Sequence, residues 1–284
     1  MIRSQELFKG AHVSVVRLDH EPHSDHDDPE EEICSQHAIN FVETGSFGLA
    51  ERNESWRLTR DHVFISQPGA VHRYSHLERS PSDVCLSVIY LGIFTDDEKH
   101  PLHSVPRVFR CTNRLAFLKY RVAQLTRDGY SIGWEDWAVE LAAAVGAAPE
   151  LSMRCYGDRQ LRWYAERVEA VRELFETRYS EAHSLLSVAR SIGMSPFQFC
   201  RVFAELVGTP PHRYLLDVRL NRAAQLLSDG KPVTETCFDV GFSNLSHFTR
   251  SFQRRFGCVP SSIKSRPLNS ARGNGFLAFR RKPS

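Results

Sequence analysis

The sequence lacks any apolar run approaching ~18 residues, the length that a membrane-spanning helix needs, so no transmembrane segment is expected. Its first residues, MIRSQE, lack the apolar region of a signal peptide. The seven cysteines include no C-x-x-C pair, a usage that favours reduced thiols in the cytoplasm over a disulfide framework. No Ser/His/Asp or Cys/His set stands at a recognisable catalytic spacing, so no catalytic residue, enzyme class or cofactor is predicted.

Charge is nearly balanced over the whole chain, with a formal net charge of +2, but it is divided unevenly along it. Residues 1–160 carry 17 Lys and Arg against 24 Asp and Glu, whereas residues 161–284 carry 19 against 10. An acidic part joined to a basic part fits a sensor attached to a phosphate-binding module. Charge alone leaves an ordinary solvated basic face as the alternative.

One sequence pattern occurs twice in the basic part. The first copy consists of Ala189, Gly193, Ser195, Phe199, Arg201, Phe203, Gly208 and Pro211. The second consists of Cys237, Gly241, Ser243, Phe248, Arg250, Phe252, Gly257 and Pro260. The positions up to the serine are 48 apart and the later ones are 49 apart, so the copies differ by one inserted residue.

The pattern predicts a helix-turn-helix in each copy. A small residue four positions before the glycine lets two helices cross closely, and the glycine supplies the positive φ of the turn. Ser195 and Ser243 are then placed to N-cap the second helix of each unit. The two phenylalanines lie four apart on one helix face, which leaves Arg201 and Arg250 on the face open to a partner. Two such units in one chain can reach successive major grooves, because a connecting helix over residues 212–227 spans roughly 24 Å.

Five segments resemble the AraC/XylS family of bacterial transcription regulators: residues 208–211, 219–223, 240–244, 246–252 and 255–260. The resemblance covers about residues 165–266, and the second copy is its most specific part. Two positions depart from the family pattern, since Cys237 stands where the family usually has Ala and Thr236 where it usually has Ile. The alternative, a helical bundle with paired aromatics, does not account for two aligned units.

The resemblance implies which side chains contact DNA. The implied set is Ser195, Phe197, Gln198, Cys200 and Arg201 in the first unit, and Asn244, Leu245, Ser246, Thr249 and Arg250 in the second. Arginine can fork to guanine, and apolar Phe197 and Leu245 suit thymine methyls. The family also implies double-stranded promoter DNA and RNA polymerase as partners, and activation as the direction of regulation.

The N-terminal part is predicted to contain short strands between residues 10 and 95, typical of a β-barrel or jelly roll. The stretch from Asp61 to His72 resembles the second half-motif of the cupin family, in which Pro-Gly is followed three residues later by His. The first half-motif is missing. A barrel of about eight strands can hold one small molecule, which matches the usual plan of the AraC family.

A small organic effector, bound without a metal, is therefore expected in the barrel. Its candidate pocket residues are His37, Phe41, Phe47, Trp56, Phe64, His72 and Tyr90, and the alternative is that they fill a closed core. Three histidines in an acidic stretch, His20, His23 and His26, could supply ligands, but a solvated loop is favoured and no metal is predicted.

Helices are predicted from about Val108 to Tyr156, with the apolar stripes Leu115, Leu118, Val122, Leu125 and Trp134, Trp137, Leu141, Val145. These stripes either pack on the barrel or pair between protomers of a homodimer.

The predicted fold class is α+β: an N-terminal cupin-like β-barrel, then linker helices, then an all-α C-terminal domain with two helix-turn-helix units. The predicted domains are 1–105 for effector sensing, 106–160 for linker or dimerisation helices, 161–268 for DNA binding and 269–284 for a flexible basic tail. The predicted function is a cytoplasmic, effector-controlled transcription regulator. The alternatives are a cupin-type enzyme or scaffold fused to a DNA-binding module, and a nonspecific architectural DNA protein.

Overall fold

The computed structural model describes residues 2–20, 30–76, 83–92, 102, 105–128, 133–147 and 156–263. The chain divides into two compact units, residues 1–162 and 163–284. Residues 21–29, which hold His23 and His26, and the predicted basic tail lie outside the described residues.

The first unit is built on ten antiparallel strands among the described residues. They are β1 Ile2–Lys9, β2 Val13–His20, β3 Glu30–Ile33, β4 His37–Thr44, β5 Ser46–Glu51, β6 Glu54–Thr59, β7 His62–Ser66, β8 Val71–His76, β9 Asp83–Tyr90 and β10 Val108–Arg110. Six strands form one sheet in the order β1-β2-β9-β4-β7-β10, and four form a second in the order β3-β8-β5-β6.

The central strands β9, β4 and β7 of the six-stranded sheet are buried on both faces, and the alternation of their side chains divides their residues between two cores. In β4, Ile39 and Phe41 belong to the core that this sheet shares with helices, whereas Val42 packs with Phe47 and Leu58 of the second sheet. The two sheets therefore enclose a small core of their own.

The α+β fold class is confirmed, with a pair of facing antiparallel sheets as the first unit. In the part of the chain that the structure describes, the ladders form two separate sheets, so hydrogen bonding does not close a barrel. Residues 108–110, which are predicted to be helical, instead form β10, because they pair antiparallel with β7.

Two helices, α1 Asn113–Asp128 and α2 Trp134–Gly146, complete this unit. Both predicted apolar stripes pack into the core of the six-stranded sheet, with Trp134 and Trp137 each at most 2% exposed. Both stripes are buried inside the protomer. Of the two alternatives, the structure therefore bears out packing on the sheet, and these stripes are not available for pairing between protomers.

The second unit is helical. Its helices are α3 Asp158–Thr177, which begins in the first unit, α4 Leu185–Ser191, α5 Pro196–Val207, α6 Pro211–Ser228, α7 Val233–Asp239 and α8 Leu245–Phe256, followed by a 3-10 turn at Pro260–Ser262. α4 and α5 form the first helix-turn-helix, and α7 and α8 form the second. The predicted connecting helix is α6, and it ends where Asp229 and Gly230 turn the chain, the glycine at φ 89°.

One position in the core of the second unit carries an unsatisfied polar group. Thr236 is 0% exposed, and its Oγ1 has no hydrogen-bond partner among the described residues. A buried hydroxyl without a partner costs about 1–3 kcal/mol. The departure from the family's usual Ile thus has a local cost, whereas Cys237 is fully buried as a small apolar residue.

We expect Thr236→Val to stabilise the second unit by about 1 kcal/mol, because valine keeps the shape and removes the lone hydroxyl. Thermal unfolding should show a midpoint raised by about 4–8 °C for a unit of this size. The control is Thr234→Val on the same helix, where the threonine is exposed and no gain is expected. Equal midpoints for Thr236→Val and the parent would contradict the prediction.

Candidate nucleic-acid interface and N-terminal cavity

The turn of each helix-turn-helix is built by the same backbone bonds. In the first unit the N–H of Gly193 donates to Arg190 O at 3.1 Å and that of Met194 to Ala189 O at 2.9 Å. In the second, Gly241 and Phe242 repeat these bonds to residues 238 and 237 at 3.0 and 3.1 Å. Both glycines have positive φ, 68° and 83°, which confirms the sequence prediction.

The two recognition helices are capped differently. Ser195 caps α5, its Oγ accepting from the N–H of Gln198 at 3.2 Å, and Pro196 occupies the first helical turn. The predicted cap Ser243 is wrong: Asn244 caps α8, its Oδ1 accepting from the N–H of His247 at 3.0 Å. The inserted residue therefore lies between the turn and the second cap, which explains why the offset changes from 48 to 49 at this point.

The face of α5 that is turned away from the core presents three of the predicted contact residues. Phe197 is 79% exposed, an unusual state for a phenylalanine, and Cys200 is half-buried beside it. Arg201 is also exposed and pairs with Glu205 one turn on, at 3.6 Å. Gln198 lies at the edge of this face, where its Nε2 donates to Tyr164 Oη at 3.3 Å.

The corresponding face of α8 is formed by Ser246, Thr249 and Arg250, which match Phe197, Cys200 and Arg201 at the offset of 49. Ser246 and Arg250 are exposed, Thr249 is half-buried, and Arg250 Nε donates to Ser246 O at 3.3 Å. Leu245 is 40% exposed at the start of the helix.

One residue of this face is absent from the contact set predicted from the sequence. His247 stands at the position of α8 that matches Gln198 in α5, and it is exposed, with its ring centroid 5.4 Å from that of Phe242. Applying the offset of 49 to Gln198 would have found it.

Behind these faces, each recognition helix is anchored by a pair of phenylalanines. Phe199 and Phe203 stack edge to face at 5.6 Å between centroids, and Phe248 and Phe252 lie at 5.7 Å. All four rings are fully buried. The anchors hold the exposed faces on rigid helices, which is what reading of base edges requires.

The first unit contains a cavity of about 530 Å³ between its two sheets, within the size range of small-molecule sites. Its described wall includes the aromatic rings of Phe47, Phe64 and Tyr74. The charged residues in that wall are Glu32 and Asp83, so the described lining is neutral to acidic.

Two of the predicted pocket residues, Phe47 and Phe64, line the cavity, but the others lie elsewhere. Phe41 and Tyr90 project to the opposite face of the six-stranded sheet, where the Tyr90 hydroxyl donates to Ala138 O at 2.8 Å. His37 lies four residues before Phe41 in β4, so its side chain is on the same face of the sheet. Trp56 packs at the edge of the inter-sheet core. Strand alternation directs His37, Phe41 and Tyr90 to the face away from the cavity, whereas Trp56, opposite Leu49, faces the inter-sheet core outside the cavity lining.

His72 lies just behind the cavity wall and is 0% exposed. Its Nε2 is 3.3 Å from Glu51 Oε2, and its Nδ1 is 3.0 Å from Tyr74 Oη and 3.5 Å from Cys34 Sγ. Glu51 is itself buried and pairs with Arg107 at 3.3 Å. Burial lowers the pKa of His72 from its ordinary value of 6.5, and the charge of Glu51 only partly opposes this.

Acidification from pH 7 to pH 5 is expected to destabilise the first unit. In the unfolded chain His72 takes up a proton near pH 6.5, whereas its lowered pKa keeps it neutral in the fold, so unfolding is favoured as the pH falls. The slope for one proton is at most about 1.4 kcal/mol per pH unit. Urea unfolding followed over this range should show a weaker slope for His72→Gln, and an unchanged slope would contradict the assignment.

Within the described residues, no group of three or more His, Cys, Asp or Glu is placed to hold a metal ion. In the same residues no helix combines the length and apolarity that crossing a bilayer needs.

Comparison with known proteins identifies the C-terminal part. A family described as "Helix-turn-helix domain" matches residues 188–266. The virulence regulon transcriptional activator VirF of Yersinia enterocolitica is 34% identical over 97 residues, which cover 34% of this chain and 36% of that protein. The regulator ExsA of Pseudomonas aeruginosa is 33% identical over 95 residues, covering 33% and 34%. A solved AraC-type transcriptional regulator from Chromobacterium violaceum is 31% identical, covering 35% of this chain and 89% of that one, with a TM-score of 0.33.

The matched residues thus span about a third of the length of these curated relatives. They are the residues that carry the doubled turn, the two caps and the exposed arginine faces. Through this C-terminal part, the chain belongs to the AraC-type family of helix-turn-helix transcription regulators.

Proposed function

We propose that this protein is a sequence-specific regulator of transcription that reads double-stranded promoter DNA with α5 and α8. The observation that carries the proposal is the pair of matched, exposed faces on rigidly anchored helices, in a unit that is rich in Lys and Arg. The AraC-type relatives are regulators rather than enzymes, and the proposed role is accordingly non-enzymatic.

Each recognition helix contributes one arginine and further side chains to base reading. Arg201 and Arg250 fork to guanine O6 and N7, Phe197 and Leu245 contact thymine methyls, and Ser246 and Thr249 donate or accept at base edges. Ser195 and Asn244, whose side chains are engaged in capping, present the backbone N–H groups of the helix starts to phosphates. Gln198, Cys200 and His247 complete the two faces.

The connecting helix α6 has 18 residues and is about 27 Å long, so with its flanking turns it can separate the recognition helices by about one DNA turn, ~34 Å. We therefore propose two half-sites in successive major grooves on one side of the duplex.

The remaining parts of the proposal concern regulation. The similarity to VirF, which is named a transcriptional activator, favours activation, with RNA polymerase as the partner. The cavity of the first unit takes a small organic effector in the cytoplasm, and its neutral to acidic lining favours a neutral or cationic molecule over a carboxylate. A homodimer would have to use surfaces other than the buried stripes of α1 and α2.

Site selection from random DNA, followed by Arg201→Ala and Arg250→Ala, tests the proposal. Each variant is expected to lose about 1–3 kcal/mol of discrimination at one half-site only, because each arginine reads a different groove. Affinity is measured for the selected site and for sites mutated in either half, at fixed salt.

Arg73→Ala, which removes an exposed arginine of the first unit, should leave affinity unchanged and serves as the control. Both recognition variants retaining full affinity and sequence preference would overturn the proposal. Weaker binding without loss of preference would assign the arginines to phosphates instead.

A further inference from the structure

Cys34 in the cavity wall, His72 behind it and Glu51 behind His72 form a contiguous set of side chains in the first unit. Cys34 is 6% exposed and lines the cavity, its Sγ lies 3.5 Å from His72 Nδ1, and His72 Nε2 lies 3.3 Å from Glu51 Oε2. A thiol, an imidazole and a carboxylate in this order form the arrangement in which a base activates a nucleophile and a third group orients the base.

The tautomer of His72 follows from its partners. The ionised carboxylate of Glu51 can only accept, so Nε2 carries the hydrogen and donates it. Nδ1 is then an acceptor: the Tyr74 hydroxyl donates to it at 3.0 Å, and the Cys34 thiol, at 3.5 Å, can pass its proton to it. The Ser66 side chain hydrogen-bonds to Cys34 and favours the thiolate.

Near pH 7, with no ligand bound, the Cys34 thiol and the His72 imidazole are both uncharged. Burial raises the pKa of the Cys34 thiol, and the charges of Glu32 and Glu51 add to this, while Ser66 and Arg107 oppose it. Burial lowers the pKa of His72; the interactions with Glu51 oppose this shift, and the charge of Arg107 adds to it. The thiol is therefore protonated near pH 7, and the imidazole is free of charge and able to act as its base.

We propose that Cys34 is a nucleophile that captures a neutral, apolar α,β-unsaturated carbonyl compound in this cavity, with His72 as the general base. This inference rests on the proposed function, because it names the chemical class of the effector.

The step balances within the site and the ligand. Sγ forms a bond to the β-carbon while the thiol proton passes to His72 Nδ1. The π pair moves to the α-carbon as an enolate, and Nδ1 returns the proton to that carbon. The product is a thioether with nothing released, and before the return of the proton Tyr74 Oη accepts a hydrogen bond from the protonated Nδ1.

The cavity favours this class of ligand for two reasons. The rings of Phe47 and Phe64 provide an apolar surface for an uncharged body, and no cation stands in the described wall to hold a carboxylate. The addition releases no product, so capture would be registered as a change in the first unit rather than as turnover.

The test labels the full-length protein with cinnamaldehyde and follows the mass of each cysteine-containing peptide. Cys258, which is half-buried in the second unit, is the internal reference. Cys34 is expected to react at least tenfold faster than Cys258, and 3-phenylpropanal, which lacks the conjugated double bond, should give no adduct. Equal rates at the two cysteines would overturn the proposal.

The pH dependence of the wild-type rate identifies the base. An unassisted thiol would react about tenfold faster per pH unit between pH 6 and 8, following its thiolate fraction. Base assistance by His72 predicts a rate that is nearly flat above about pH 7, because the imidazole is already neutral there. A tenfold rise per unit up to pH 8 would overturn the role of His72.

Variants complete the test. His72→Gln should slow the labelling of Cys34 about 100-fold, and Cys34→Ser should abolish it. Should His72→Gln fail to fold, the wild-type pH profile still decides. Elemental analysis of the labelled stock should show no stoichiometric transition metal, and labelling that appears only after chelation would overturn the proposal in favour of a metal site.

DNA binding distinguishes a failure of the proposed function from a failure of the proposed effector role. Unlabelled protein that selects no DNA sequence would overturn the proposed function, whatever the result at Cys34. Specific DNA binding that is unchanged by the adduct would overturn the role of the captured compound as an effector.

Discussion

Replacing Gly241 by alanine is expected to cost the second unit about 3–4 kcal/mol, whereas Gly193→Ala at the matching position should cost about 1–2 kcal/mol. Both glycines have positive φ, so alanine is strained at either one. A Cβ at Gly193 would meet nothing within 4 Å, but one at Gly241 would collide with the carbonyl oxygen of Ser180 and lie 2.9 Å from its Cα.

Ser180 cannot retreat easily, because Arg219 of α6 holds the residues on either side of it. Arg219 Nε donates to Tyr179 O at 2.7 Å, and Nη2 donates to Glu181 O at 2.8 Å. The backbone at Ser180 is therefore clamped at the point where the new Cβ would have to fit.

Urea unfolding of the two single variants, followed by far-ultraviolet circular dichroism, measures the difference. Binding to the selected DNA adds a second readout, since Gly241→Ala should weaken the half-site that is read by α8 more than the other. Equal losses of stability for the two variants would show that the close approach at Ser180 is not a constraint.

Glu51→Ala is expected to destabilise the first unit by about 3 kcal/mol, because it removes the carboxylate shared by His72 and Arg107. Breaking a buried pair leaves the remaining charge or polar group without its partner, and this loss exceeds that of a surface pair. Arg107 is about a quarter exposed, so water can replace part of the interaction and the cost falls at the lower end of the range for buried pairs.

Tryptophan fluorescence during urea unfolding reports on this unit, which holds three of the four tryptophans. Glu54→Ala, at the exposed start of β6, is the matched control and should change stability by less than about 0.5 kcal/mol. Glu51→Gln should fall between the two, since the amide oxygen can still accept one hydrogen bond. A Glu51→Ala variant as stable as the control would show that the network contributes nothing.

The helix-turn-helix units could be predicted from the sequence because their signals are local. A glycine at positive φ, a cap and two phenylalanines four apart act within one or two helical turns, and the structure contains the glycines and phenylalanines as expected. The cap of the second unit was misplaced by one residue, since both Ser243 and Asn244 can cap a helix and only the closed turn selects between them.

The cavity could not be predicted with the same success. Its candidate residues were chosen by type, but strand parity decides which of them face inward, and the central strands of the sheet are buried on both sides. An apolar run in a strand covered on both faces carries no alternation to read, so Phe41 and Tyr90 could not be told apart from Phe64.

The sequence by itself thus determined the two helix-turn-helix units, the connecting helix and the order of a strand-rich part before a helical one. The tertiary structure alone decided the rest: that β10 joins the sheet, that α1 and α2 cover it, and that Cys34, His72 and Glu51 meet although 38 and 21 residues separate His72 from the other two. The physical reason is the sequence distance over which the stabilising interactions act. Caps, turns and helix faces depend on neighbours a few residues away, whereas a sheet and the groups buried beside it depend on pairings between distant strands.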